Sequence, residues 1–308
     1  MATYNSELGR DGPGLLLRDI LRGSDPQIDA TIAMLIAVEA DIIALQGFDH
    51  DLRNTALSAF ADLLAAQGVR YDHLFALPSN AGRDSGLDLN GNGRLGDPDD
   101  AHGYGRFHGA GAMAILSRYP VDRETVEDFT SMLWRDLPGN IYPQQDGRAF
   151  GGTEVFHAHR LSSKGHWIVP IETPQGKVSV WTFHASPPVF DGPEDRNGRR
   201  NHDETAFWLW RLQTDQTASF VLLGTANVDP DRGDGRPEAI EKLLSHPRLQ
   251  NPFPETPTAD FTDPVPGDLR VDYLLPAAGW RVLDHGTATD PAASRHSLLW
   301  VDIEATSP

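Results

Sequence analysis

The chain has 308 residues, 39% of them apolar, enough for a sizeable core and within the range of one large domain. It carries 44 acidic and 26 basic residues, a formal charge of −18, which argues against extended nucleic-acid binding but leaves room for a small phosphorylated ligand held by local cations. There is no cysteine, which excludes disulfides, thiolate nucleophiles and cysteine-based zinc sites, and no apolar run approaches the ~18 residues that span a membrane.

In chain order, "ATYN" at 2–5 predicts a first strand directly after Met1. No leader segment precedes it, so an extracellular or periplasmic protein with a trimmed leader is the expectation. Asp25-Pro26 opens a helical stretch, "DPQIDATIAMLIAVEA", with proline in the first turn. "DIIALQ" (41–46) is a short buried strand, and "DLRNTALSAFADLLAAQG" an amphipathic helix stopped by Gly68. Further strands are expected at 112–117, 166–173, 177–183, 220–224, 271–276 and 297–304, with helices near 202–214 and 236–245. Several strands follow one another with only turns between them. That favours an α/β sandwich of mixed sheets over a barrel or a doubly wound sheet. No internal repeat or linker breaks the chain, so one domain over 1–308 is expected. The Pro/Gly-rich stretches 186–198 and 250–268 read as surface or site-lining loops.

"DLNGNGRLGDPD", Asp88 to Asp99, has the spacing of a calcium loop. Asp88, Asn90 and Asn92 place oxygens at positions one, three and five, because alternate residues can aim at one centre. Gly93 sits at the sharp turn, Arg94 offers its carbonyl, and Asp99 closes the loop at twelve. The flanks are glycine-rich rather than helical, so a free-standing structural Ca²⁺ site inserted in the domain is expected.

The motifs "ATYN", "DIIALQ", "GAMAILSRYPV", "VWTFH", "LLGTANVDP", "RVDYLLP" and "SRHSLLWVDIE" occur in an order that resembles the endonuclease/exonuclease/phosphatase superfamily. The resemblance runs from residue 2 to about residue 304, and "RLSSKGHW" and "SPPVFDGPEDRNGRRNHDE" look like a secreted bacterial branch. It implies a four-layer αββα sandwich of two mixed β-sheets flanked by helices. It also implies a phosphoesterase centre at one end of the sheets, where a divalent metal polarises a phosphoryl oxygen. Carried over by motif, the implied catalytic residues are Asn5, His184, Asn227, Asp272 and His296.

Three positions depart from the pattern. Gly47 stands where the family has a metal-binding Glu, Thr225 where it has the Asp of "GDxN", and Arg295 where it has the Asp of "SDH". Each change removes a carboxylate, and Arg295 reverses the sign. Mg²⁺ or Mn²⁺ at the centre is therefore disfavoured, because carboxylates supply most of such a site's binding. Asp49 and Asp51 could substitute only if the backbone turned both inward. The small residues Gly47, Ala185 and Ala226 imply a wider pocket. Drift would blur the neighbouring motifs too, so losses confined to charged ligands point to remodelling, by selection or by engineering. Three readings follow: a phosphoesterase-like protein with a disabled or rebuilt centre, an active phosphodiesterase or phosphatase with substitute ligands, and a ligand-binding pseudoenzyme. A metal-free triad of Thr225, a histidine base and Asp272, with Arg295 at the oxyanion, is a further arrangement to examine.

"RLSSKGHW" supplies Arg160, Ser163, Lys164 and His166 as candidate binders of a small, phosphorylated or other, ligand. "GAGAMA" precedes a strand rather than following one, so it is not a dinucleotide loop. "HAH" (157–159) lacks a third ligand at metal spacing and reads as a surface pair.

Overall fold

The computed structural model describes residues 1–261 and 266–306, so residues 262–265 of the expected loop 250–268 lie outside the described residues. In chain order the strands are β1 (Ala2–Asn5), β2 (Ile42–Phe48), β3 (His73–Phe75), β4 (Ala112–Ser117), β5 (Glu127–Asp128), β6 (Gln144–Gln145), β7 (Arg148–Ala149) and β8 (His166–Thr173). They continue as β9 (Gly176–His184), β10 (Phe220–Thr225), β11 (Ala259–Phe261), β12 (Gly267–Leu269), β13 (Asp272–Pro276), β14 (Trp280–Ala288) and β15 (Leu298–Ala305). The helices are α1 (Leu15–Arg22), α2 (Pro26–Val38), α3 (Thr55–Ala66), α4 (Gly152–Ala158), α5 (Arg196–Thr214) and α6 (Glu238–Leu244).

Two large mixed sheets face each other. One has the order β14-β15-β1-β2-β4-β3, the other β13-β10-β9-β8-β5. The pairs β1–β2 and β9–β10 are parallel and the remaining neighbours antiparallel. The strand period of two divides the apolar residues between two cores. On β2, Ile42 and Ala44 join the core between the sheets, while Ile43 and Leu45 join the core under α1, α2 and α3. On the far side, Trp208 of α5 and Ile240 of α6 close over Trp181 and Phe220. Helices, sheet, sheet and helices thus form the four layers expected.

Nine elements were not foreseen, and six of them (β3, β5, β6, β7, β11 and β12) are only two or three residues long, too short to show a period. β14 is an edge strand, mostly solvent-exposed, held by its pairing with β15. α1 and α4 are about two turns long; glycines at positive φ stand at both ends of α1 (Gly14, Gly23) and at the start of α4 (Gly151). Helix α5 begins at Arg196, six residues before the expected start, so 196–198 are helical rather than loop. Its first turns carry buried polar residues (Arg196, Arg200, Asn201, Asp203 and Glu204), which give no apolar periodicity to read. The "HAH" reading needs correction at one of its ends. His157 is exposed, but His159 is buried against Trp134 and Tyr142, its Nδ1 3.3 Å from the Tyr142 hydroxyl.

Candidate active site

Strand register gathers the expected residues at one end of the two sheets. Asn5 and Gln46 pair at the ends of β1 and β2, and Thr225 at the end of β10 pairs with His184 of β9 and Asp272 of β13. A continuous buried hydrogen-bond chain links Thr225, Asp272, His296 and Asn5. Thr225 Oγ1 donates to Asp272 Oδ1 at 2.6 Å, and Asp272 Oδ2 holds His296 Nδ1 at 2.7 Å. His296 Nε2 lies 3.3 Å from Asn5 Nδ2. Burial works against a charge on His296, but the Asp272 carboxylate and its hydrogen bond outweigh burial and raise its pKa above the ordinary imidazole value. The Thr225 proton goes to a carboxylate rather than to an imidazole. The geometry is therefore that of a strut under Asp272, not of a nucleophile with a base at its oxygen.

His184 ends β9 and is more than nine-tenths buried, yet its Nδ1 has no hydrogen-bond partner. Burial, then the nearby charges of Lys164 and His296, pushes its pKa far down and keeps the ring neutral. Asn227, at φ 54°, turns its amide back to donate to the Ala185 carbonyl at 2.8 Å. Asp49 and Asp51 are not turned toward this centre together. Asp49 accepts the Gly111 and Arg10 backbone N–H groups at 2.7 and 2.9 Å, while Asp51 accepts those of Arg53, Thr55 and Ala56 at the start of α3.

Two expectations about the replaced positions need correction. Gly47 does not open space toward Asn5. Its φ is +70°, and a Cβ built there would lie 2.5 Å from Asn5 Oδ1 and 2.9 Å from the Glu7 nitrogen. The site is thus closed to any larger residue at 47 in this backbone conformation. Arg295 does not present a free positive charge to an oxyanion either. Its backbone N–H donates to Glu7 Oε2 at 2.9 Å and its Nε to Glu7 Oε1 at 3.0 Å, with the guanidinium over the Phe261 ring. Glu7 also accepts from the Ser294 hydroxyl at 3.1 Å. Burial opposes ionisation of Glu7, but the hydrogen bonds from Arg295 more than offset it and hold the carboxyl below its ordinary pKa. Glu7 is the residue sequence reasoning missed. Arg295 is paired with an acid 288 positions away.

The sequence profile described as the Endonuclease/Exonuclease/phosphatase family matches residues 2–296. The chain belongs to that family. Among solved structures it is similar to an endonuclease/exonuclease/phosphatase from Beutenbergia cavernae, at 18% identity and TM-score 0.62, covering 99% of this chain and 70% of the other. It is also similar to sphingomyelinase C from Streptomyces griseocarneus, at 16% identity and TM-score 0.52, with 97% and 96% covered. The human nocturnin catalytic domain matches at 14% identity and TM-score 0.54, covering 92% of this chain and 87% of that one. No curated protein sequence matches the chain. At these identities the likeness concerns the fold, which is that of endonuclease/exonuclease/phosphatase hydrolases.

Helix α5 brackets the loops around this family's centre. Glu204 is fully buried and accepts four hydrogen bonds: the N–H and hydroxyl of Ser163 at 2.6 and 2.8 Å, and those of Ser186 at 2.7 and 2.9 Å. Asn201 donates to the Ser186 and Ala226 carbonyls at 2.7 and 2.6 Å. Three of the four candidate ligand binders belong to this bracket rather than to a ligand surface. Ser163 is held by Glu204, and Arg160 donates to Asn80 Oδ1 at 2.8 Å. His166 is wholly buried between Ser162 (2.6 Å) and the Glu204 carbonyl (2.8 Å), and burial lowers its pKa to about 3. Lys164 donates to the Ala110 carbonyl at 3.2 Å, beside Gly111.

The loop 88–100 winds around Asp88, whose carboxylate accepts the N–H groups of Gly91, Asn92 and Gly93 at 2.7, 3.1 and 2.8 Å. Asn90 Oδ1 accepts from the Asn92 N–H and Asn92 Oδ1 from the Arg94 N–H. Asp100, not Asp99, is buried inside the loop and accepts from the Leu89 and Gly96 N–H groups, both at 2.9 Å. Among the described residues, no group of three or more His, Cys, Asp or Glu side chains is gathered to hold a metal ion, either here or in the cleft.

Proposed function

We propose that this chain uses the endonuclease/exonuclease/phosphatase fold to recognise a small anionic molecule, phosphorylated ones included, in a cleft that does not assemble a divalent-metal centre. The observation that carries this reading is the engagement of every acid around the cleft. Asp272 is spent on Thr225 and His296, Glu7 on Arg295 and Ser294, and Asp49 on two backbone N–H groups. A magnesium-type ion wants near-octahedral oxygen ligands with carboxylates among them, and the residues present do not fit it. The residues that remain offer an imidazole held by a buried acid, a second, neutral imidazole, and one cation.

Hydrolysis of bis(p-nitrophenyl) phosphate and p-nitrophenyl phosphate tests this directly. Rates with Mg²⁺, Mn²⁺ or EDTA are expected to match one another and the protein-free blank. Metal-dependent turnover that disappears in Asp272→Asn would establish the competing reading, an active phosphoesterase with substitute ligands.

The loop 88–100 is proposed to hold a structural Ca²⁺, with Asp88, Asn90, Asn92, the Arg94 carbonyl and an acid from the Asp99–Asp100 pair around it. Support comes from the loop's winding around Asp88 and from Asn92 Nδ2 reaching Asp97 at 2.7 Å, which order the oxygen ring within one short segment. An extracellular or periplasmic setting belongs to the same proposal, since loops of this type outside the cell work at Kd values of about 10⁻⁴–10⁻³ M.

A further inference from the structure

The hairpin β6–β7 takes no part in the strand-end centre. Its turn is Asp146-Gly147, both at positive φ (50° and 75°), as a two-residue hairpin turn requires. Gln145 pairs with Arg148 across that turn, and the Phe150 N–H continues the pairing by donating to the Pro143 carbonyl at 2.9 Å. Cross-strand partners share a face and side chains alternate along a strand, so Gln145, Arg148 and Phe150 project from one side of the hairpin. Gln145 and Arg148 are exposed. Phe150 is half-buried and packs on the core between the sheets.

The hairpin and the tip of the loop 88–100 enclose a cavity of about 710 Å³, lined by Asn90 and Gly91 from the loop and by Gln145, Asp146, Arg148 and Phe150 from the hairpin. That volume lies within the ~300–1,000 Å³ of small-molecule sites. Gly91 keeps the aromatic end of the cavity open. At φ +74° it carries no side chain, and the point where its Cβ would stand is 3.9 Å from Phe150 Cζ. A side chain there would lie against the ring. Among the described residues neither Asp146 nor Arg148 enters an ion pair, whereas Arg135 and Lys177 do. Asn90 Oδ1 accepts from the Asn92 N–H at 3.0 Å, so Nδ2 is the atom it offers to a ligand.

The lining selects the class of ligand. One carboxylate and one guanidinium cancel in charge, so the cavity as a whole favours neither an anion nor a cation. The chain's formal charge of −18 opposes an anion further. Two side-chain amides, a carboxylate and a guanidinium are planar groups that donate or accept hydrogen bonds in pairs, which matches adjacent hydroxyls. The Phe150 ring supplies an apolar surface for a carbon-bearing face. We infer that this cavity binds one unit of a neutral saccharide, with Gln145, Asp146 and Arg148 on its hydroxyls and Phe150 against its carbon face. No bond is made or broken: protein polar groups replace water around the sugar. The inference is independent of the metal-free reading, because none of these residues belongs to the strand-end centre.

Maltotriose, cellotriose and tri-N-acetylchitotriose are the probes, each titrated to about 10 mM, enough to occupy a site with a Kd of about 1 mM. Backbone amides of the whole chain are followed by NMR with calcium held constant, so that the state of the loop does not vary. At least one probe is expected to shift the Gly91 and Arg148 amides and to receive saturation transfer from the Phe150 ring protons, while the His184 and His296 rings stay unmoved. Gln145→Ala and Arg148→Ala, both at exposed positions, should each weaken that binding at least about fivefold. No shift at Gly91 or Arg148 with any of the three probes, or binding unchanged in both variants, overturns the inference. So do shifts of the same amides by inorganic phosphate in place of the saccharides, which would make the cavity an anion site.

Discussion

The cleft at the strand ends and the loop 88–100 are both rich in side-chain oxygen, yet they are wired in opposite ways. In the cleft, each acid is bound by partners far off in sequence: Thr225 to Asp272 across 47 positions, and Arg295 to Glu7 across 288. In the loop, Asp88 is bound by N–H groups three to five residues on, and Asp100 by those of Leu89 and Gly96. Similar acidity thus goes with two kinds of wiring: carboxylates held by N–H groups of their own short segment, as in the loop, and carboxylates held by donors from distant elements, as in the cleft.

The largest effect separating the two regions is expected at Glu204. Replacing it by Ala leaves the buried Ser163 and Ser186 N–H groups without acceptors and frees both loops of the cleft. A loss of about 4 kcal/mol in denaturant-unfolding free energy is expected. The loop 88–100 should keep its own behaviour in that variant. A cost below about 1 kcal/mol would show that the bracket does not hold the cleft.

Gly47→Ala sharpens the same contrast from inside the cleft. A Cβ there meets Asn5 Oδ1 and the Glu7 nitrogen at a left-handed φ, so a loss of about 3 kcal/mol is expected, with His296 ring resonances shifted through Asn5. A neutral result would mean that the backbone at 47 relaxes readily and that a larger residue is accepted there.

The loop should respond to ions rather than to these substitutions. Calcium at about a hundred times its Kd is expected to stabilise the protein by about 2.7 kcal/mol, seen as a rise in melting temperature that chelator reverses. Asp88→Ala should abolish the rise. A melting temperature indifferent to calcium and chelator would remove the ion from the loop.

The contrast in wiring also explains what could be read from the sequence. Strand and helix patterns with one apolar face, such as "DIIALQ" and "FVLLG", were legible because burial imposes a period. The turns of the loop were legible because their geometry is local, whereas the burial of Asp100 was not. The order of short motifs carried the fold and brought Asn5, His184, Thr225, Asp272 and His296 to one end of the sheets. What stayed hidden was non-local. Nothing near "SRH" announces that Glu7 will meet Arg295. The positive φ of Gly47 depends on the bulge between β2 and β4. The polar face of α5 looks like a solvated loop until Ser163 and Ser186 are seen to close on Glu204.

The most direct test of the cleft is to add Mn²⁺ and follow the ring protons of His184 and His296 by NMR, with Asp88→Ala used to silence the loop. The account predicts that both rings keep their linewidths at metal concentrations that bleach nearby protons in an occupied phosphoesterase centre. Selective broadening of both rings, reversed by Mg²⁺, would place a divalent ion in the cleft and contradict it.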